Sequence, residues 1–205
     1  MKNKTKQLDE LFHKWYLEQK KSDIENKEHF SVDGLIKADD ENCIVLFVLS
    51  EPHSKDDHEY NPNFWFRRIW EDYNELYYSS NRIVKASITK YKKRIESCAK
   101  SLGVPDTPHG IAVMDIKKCG GGSNLSKDFD RYVDLFSEFI KNQIEILNPQ
   151  YIVACGYSVY NALQKIGLDD KTKNKIIKTY HLNARKSNSN FEFNKLPLVT
   201  PNERK

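Results

Sequence analysis

The sequence predicts an α/β protein: a three-layer α/β/α sandwich with helices on both faces of a central four-stranded parallel sheet. Two observations carry this. Four apolar runs, at residues 43–49, 110–116, 151–155 and 176–181, lack the polar alternation of a half-exposed strand. Continuous runs of this kind read as strands buried on both faces. Segments of helical period separate them, and strands alternating with helices imply a parallel sheet. Right-handed crossovers then place all four strand ends on one edge.

The elements follow in order. Leu8, Leu11, Phe12 and Trp15 recur at helical spacing, so residues 6–21 read as an amphipathic helix. Residues 22–42 are polar and contain Asp33-Gly34, a turn signal. The first strand follows, and Ser50-Glu51-Pro52-His53 ends it abruptly. Asn61-Pro62-Asn63 marks a turn, with a helix predicted over residues 64–78. Val84, Ile88, Tyr91, Ile95 and Cys98 predict another, broken at Gly103-Val104-Pro105. After the second strand comes a loop carrying Gly120-Gly121-Gly122. A long helix through Phe129, Tyr132, Val133, Phe136 and Ile140 stops at Asn148-Pro149. Gly156 turns the third strand into a short helix ending near Leu163, and the fourth strand ends at His181.

A chain of 205 residues suits one domain. It divides into an N-terminal helix and polar lead-in (1–42), an α/β core (43–187) and a tail (188–205). No run of roughly 18 apolar residues exists and no signal peptide is visible, so a cytoplasmic location is expected. The four cysteines, Cys43, Cys98, Cys119 and Cys155, are scattered without a Cys-x-x-Cys pair. Reduced buried thiols are the expected reading, ahead of a metal or iron–sulfur site. The net charge is +4, and lysines cluster at Lys85–Lys100 and Lys171–Lys186. Such clusters suit phosphate contacts, or form a solvated surface.

Ligands of open parallel sheets bind outside the carboxyl ends of the strands. That makes Glu51 and His181 the first candidates. Pro52 keeps the preceding residue out of the helical region, so Glu51 is held extended or in a turn. A carboxylate fixed there activates water or stabilises a developing cation; its alternative use is to cap the next turn. His181 opens a polar segment and can donate to an oxyanion, or is an ordinary strand-end histidine. In Phe64-Trp65-Phe66, one aromatic is free to stack on a planar ligand while others enter the core. The triple glycine is no P-loop, because Ser123-Asn124 follows instead of Lys-Ser or Lys-Thr.

Taken in order, these short motifs resemble the uracil-DNA glycosylase superfamily from Ile44 to about Ser187. Leu49-Ser50-Glu51-Pro52-His53 is similar to its first motif, typically Gly-Gln-Asp-Pro-Tyr or Gly-Glu-Ala-Pro-Gly. Phe64 falls where the family places its base-stacking aromatic. Met114-Asp115-Ile116-Lys117-Lys118-Cys119 resembles the Thr-Asn-Val-Val-Lys-Cys strand end. Leu147-Asn148-Pro149-Gln150-Tyr151-Ile152-Val153-Ala154-Cys155-Gly156 matches Leu-Lys-Pro-Lys-x-Ile-Val-x-x-Gly most closely. His181-Leu182-Asn183 takes the place of His-Pro-Ser. The chain departs from the pattern at Leu49, at Leu182 and in its cysteine spacing. It also carries Asp115 where the family's base-reading Asn stands.

The resemblance implies an enzyme that flips a nucleotide out of the DNA stack and hydrolyses its glycosidic bond, with no metal or redox cofactor. Glu51 would stabilise the sugar cation and direct the water. His181 would hydrogen-bond the departing base. Ser50, Pro52, His53, Phe64 and Asp115 would line the base pocket. Leu182 would wedge into the minor groove, with Asn183, Arg185, Lys186, Ser123 and Asn124 as further DNA contacts. An ionised Asp only accepts hydrogen bonds, which suits the exocyclic amine of cytosine and opposes uracil oxygen to oxygen. With His53 in place of the tyrosine that crowds the fifth ring carbon, the expected substrate is a cytosine-type or modified cytosine base of phage DNA. The partner is DNA, double- or single-stranded, with no membrane. Two other readings stand. One is a non-catalytic nucleic-acid-binding module. The other is a uracil glycosylase whose Asp115 is protonated or outside the pocket.

Overall fold

In the computed structural model, which describes residues 3–39, 42–52, 59–61, 65–104, 107–119, 128–182 and 184, the four apolar runs become neighbouring strands. The chain begins with α1 (Lys4–Lys21), β1 (Phe30–Ser31), β2 (Gly34–Leu35) and β3 (Val45–Leu49). It continues through β4 (Tyr60–Asn61), α2 (Trp65–Glu71), α3 (Tyr73–Ser79), α4 (Arg82–Ser101) and β5 (Ile111–Asp115). It closes with α5 (Phe129–Leu147), β6 (Tyr151–Cys155), α6 (Tyr157–Lys165), α7 (Asp170–Lys173) and β7 (Ile176–Thr179).

The main sheet runs β2-β5-β3-β6-β7. Its β5, β3, β6 and β7 pair in parallel as the sequence predicts. The sheet has five strands, however, and is mixed: β2 pairs antiparallel with β5, Gly34 opposite Val113 and Leu35 opposite Ala112. Two residues inside a polar segment give no periodicity to read, so this strand was invisible in the sequence. The predicted helix over 64–78 is two helices, α2 and α3, separated at Asp72. Of the aromatic triplet, Phe66 enters the core and Trp65 is exposed.

Every residue of β3 and β5 is buried, which is why these runs do not alternate. Successive side chains enter different cores. Leu46, Val48, Ala112, Met114, Ile152 and Ala154 face α1, α5 and α6. Val45, Phe47, Leu49, Ile111, Val113, Val153 and Cys155 face α2, α3 and α4. The two cores make the three layers. Each large aliphatic or aromatic side chain so buried contributes about 1.5–3 kcal/mol. All four cysteines are buried free thiols.

Local chemistry sets the boundaries. Asn3 caps α1 by accepting from the Thr5 amide, and Asn81 caps α4 by accepting from Ile83 and Val84. Asn148 ends α5 in the left-handed region at φ 43°, and Pro149 blocks continuation. Gly156 joins β6 to α6 at φ 119°, a conformation L side chains rarely adopt. The chain leaves β3 for β5 on one side, then crosses back to β6 on the other. The sheet order therefore reverses between β3 and β6, and a crevice forms outside such a switch point. Among the described residues, no helix is long and apolar enough to cross a membrane.

Candidate functional site

The buried charged residues among those described are Asp33, Glu51, Arg94, Asp115, Lys117 and Lys118. All six lie at the carboxyl edge of the sheet. Charged side chains are rarely buried unless paired, so their concentration at one edge marks a built site.

Glu51 sits two residues past the end of β3, and Asp115 ends β5 next door; Leu49 and Asp115 are register partners. Each is 8% exposed. The ladder runs on past the strands: the Ile116 amide donates to the Leu49 carbonyl and the Lys117 amide to the Ser50 carbonyl, both at 2.9 Å. This fixes Ser50 and Glu51 against the segment after β5. Lys117, whose side chain is 1% exposed, lies 3.8 Å from Glu51 Oε2 and 2.7 Å from Asp128 Oδ1. Glu51 thus shares a buried ammonium with Asp128, at the start of α5.

Asp115 is held differently. Its backbone amide donates to Asp33 Oδ2 at 2.8 Å, and its carbonyl accepts from Lys118 Nζ at 2.7 Å. Lys118 also pairs with Asp33, and its ammonium lies 4.9 Å from the Trp15 ring. Burial pushes the Asp33 carboxyl up and the Lys118 ammonium down. The side chain of Asp115 follows Ile111 and Val113 on the α4 face. There it raises the Tyr91 hydroxyl and the Cys155 thiol, each already raised by burial. Its own Oδ1 is buried and has no hydrogen-bond partner. Burial, with Asp33 and Glu51 nearby and Lys118 opposing, pushes the Asp115 carboxyl up to about 8. Asp115 thus keeps its proton to higher pH than an ordinary aspartate, because burial outweighs the attraction of Lys118, whereas the base preference expected from the sequence started from an ionised carboxylate.

His181 follows β7 on the same edge and is partly exposed. Leu182 turns inward to 0% exposure, in the core that also holds Leu49 and Cys155. It is not available as a minor-groove wedge in this arrangement, since it is an apolar anchor of a polar segment. Arg94, 1% exposed on α4, donates to the Leu182 carbonyl and, at 2.9 Å, to that of Ala184. The segment carrying His181 is thereby tied to the face that carries Asp115. Pro52 is partly exposed at the same edge. His53, Phe64, Ser123, Asn124, Asn183, Arg185 and Lys186 lie outside the described residues.

Asp33, Lys117 and Lys118 were not singled out as site residues from the sequence, and Arg94, which the sequence groups with a basic cluster suited to phosphate, is instead buried against the Leu182 and Ala184 carbonyls. Arg94 had a signal, since it falls on the helical stripe of Tyr91, Ile95 and Cys98. Two lysines directly after a buried strand were a second. Around the edge, Tyr157 and Tyr180 are exposed, with Lys178 Nζ 4.6 Å from the Tyr157 ring centroid. A groove on α4 is lined by Arg82, Ile83, Ala86, Ser87 and Lys90.

The chain matches no family model, no curated protein and no solved structure. The chemistry of the site therefore has to be read from its own residues.

Proposed function

We propose that this protein is a DNA N-glycosylase. It flips a pyrimidine nucleotide, of cytosine type and modified in foreign (phage) DNA, into the crevice at the strand ends. There it hydrolyses the glycosidic bond and leaves an abasic site. The observation that carries this reading is the pair of buried carboxyls, Glu51 and Asp115, on neighbouring strand ends in unlike surroundings. Unlike surroundings are how two carboxyls take different roles in one reaction.

Breaking a glycosidic bond builds positive charge on the sugar. Glu51 stabilises that charge and takes the proton of the attacking water. Its shared ammonium, Lys117, fixes its position through Asp128. Asp115 meets the hydrogen-bonding edge of the flipped base, which supplies the partner that Oδ1 lacks. His181 donates to the base oxygen as negative charge grows on the leaving group. The basic groove on α4 and the tyrosines around Lys178 supply phosphate and stacking contacts to the strand.

The protonation of Asp115 favours a second reading. A neutral carboxyl both donates and accepts, so it also complements uracil, as a repair glycosylase requires. Oligonucleotides carrying cytosine, hydroxymethylcytosine, glucosylated hydroxymethylcytosine or uracil separate the two. Incubation followed by alkali is expected to cleave at a cytosine-derived base. Cleavage at uracil alone selects the repair enzyme. Tight DNA binding without cleavage of any substrate would leave a non-catalytic binding module.

A further inference from the structure

The carboxyl edge holds three buried carboxyls, Asp33, Glu51 and Asp115, and two buried ammonium groups. Lys118 is spent on Asp33 and on the backbone carbonyl of Asp115. Lys117 is spent on Glu51 and Asp128. Among the described residues no ion pair is made by the Asp115 side chain, and its Oδ1 is buried without a hydrogen bond. A buried polar atom left so is costly, and a ligand that satisfies it relieves that cost.

On the glycosylase reading, on which this inference rests, we propose that Asp115 is the general acid. Its neutral carboxyl pairs with the edge of a cytosine-type base and delivers its proton to N3. The O–H donates to the N3 lone pair while the other oxygen accepts from the exocyclic N4–H. As the C1′–N1 bond breaks, its electron pair stays on N1 and the proton passes to N3, so the base leaves neutral. Asp115 is left as a carboxylate. The water oxygen bonds to C1′ and yields its proton to Glu51, and exchange with solvent resets both carboxyls. Uracil fits the same donor–acceptor pair but offers no N3 lone pair, because N3 already carries hydrogen. Selectivity for cytosine-type bases then comes from proton transfer and not from binding.

The groups around Asp115 support a carboxyl that keeps its proton. Asp33 before β2 and Glu51 after β3 repel its charge, Tyr91 on α4 and Cys155 on β6 are neutral, and Lys118 opposes them from after β5. The resulting value of about 8 places the acid in working form at neutral pH. Arg94, on the helix of Tyr91, bonds the carbonyls of Leu182 and Ala184.

The test is Asp115→Asn, whose amide keeps the donor–acceptor pattern but has no proton to give. Single-turnover release is followed by alkali cleavage of oligonucleotides carrying cytosine, hydroxymethylcytosine or uracil, from pH 6 to 10. The variant is expected to bind DNA like the wild type and release cytosine-type bases about 100-fold more slowly or worse, the usual worth of a general acid. Its uracil release should change less than about tenfold, since no proton transfer from Asp115 is at stake there. Wild-type release of cytosine-type bases is expected to fall about tenfold per pH unit above about 8. A flat wild-type profile, or wild-type rates in Asp115→Asn, overturns the inference alone if Glu51→Gln still abolishes release. Release of uracil only also overturns it. No abasic site from any base overturns the glycosylase reading and this inference together.

Discussion

The two edges of the same sheet are finished differently. At the amino edge, backbone groups satisfy one another. Ile44 and Val45 donate to the Gly110 carbonyl at 2.7 and 3.1 Å, and the Tyr151 amide donates to the Ile44 carbonyl at 2.9 Å. Ile152 donates to the Lys175 carbonyl at 2.9 Å, and none of the six buried ionisable side chains lies there. At the carboxyl edge the backbone ladder runs on as well, from Ile116 to Leu49 and from Lys117 to Ser50, but side chains of ionisable type also hold the backbone there: Asp33, Lys118 and Arg94. An edge closed by backbone bonds needs no buried charge for stability. The second edge bears the desolvation of six ionisable side chains, and folding alone gives no reason for it. On the proposed reading, the difference marks the edge where chemistry is installed.

If that contrast holds, the largest stability effect lies at the carboxyl edge. Lys118→Met removes the cation of Asp33 and is expected to destabilise the protein by about 3–5 kcal/mol in urea unfolding, because it strands a buried charge. At the amino edge, Gly110→Ala sets a Cβ at φ 71°, with Ile44 Cδ1 at 2.9 Å. A loss of about 1–3 kcal/mol is expected, with excision by the folded protein unchanged. An effect on excision there would break the division between the edges.

A smaller effect, read per pH unit, sharpens the account of Asp115. The unfolded carboxyl releases its proton near the ordinary value of about 3.9, whereas the folded one keeps it to about 8. Between those values the unfolded state binds fewer protons, so stability falls as pH rises, by at most about 1.4 kcal/mol per unit. This contribution is complete below about pH 4 and lost by about pH 8. Urea midpoints of the wild type and Asp115→Asn should therefore diverge from pH 5 to pH 8, the variant becoming relatively more stable. Parallel midpoints would mean that Asp115 titrates normally.

What was legible in the sequence follows the same division. β3, β5 and β6 could be read because burial on both faces leaves unbroken apolar runs, whereas β7, at the sheet edge with no buried residue, shows only Ile176-Ile177 before Lys178. The placement of Glu51, Asp115 and His181 at one edge could be read because each follows or ends a strand. Asp33 could not: it looks like half of an Asp-Gly turn, and its partner Lys118 lies 85 positions away. Arg94 lies 88 positions from Leu182, the residue whose carbonyl it holds. Local pattern does not report pairings at such distance. The raised Asp115 carboxyl was hidden for the same reason, since it depends first on burial in the folded edge and then on carboxyls contributed by two other segments.

The central claim is that the carboxyl edge is a catalytic site with Glu51 at its centre. Glu51→Gln tests it most directly, because Lys117 keeps Asp128 at 2.7 Å and the fold is expected to stand. Single-turnover release from the responding oligonucleotide should fall about 100- to 10,000-fold, with the urea midpoint and DNA affinity close to wild type. Release at the wild-type rate, or a loss that only follows a loss of stability, would contradict the account and return Glu51 to the role of a cap.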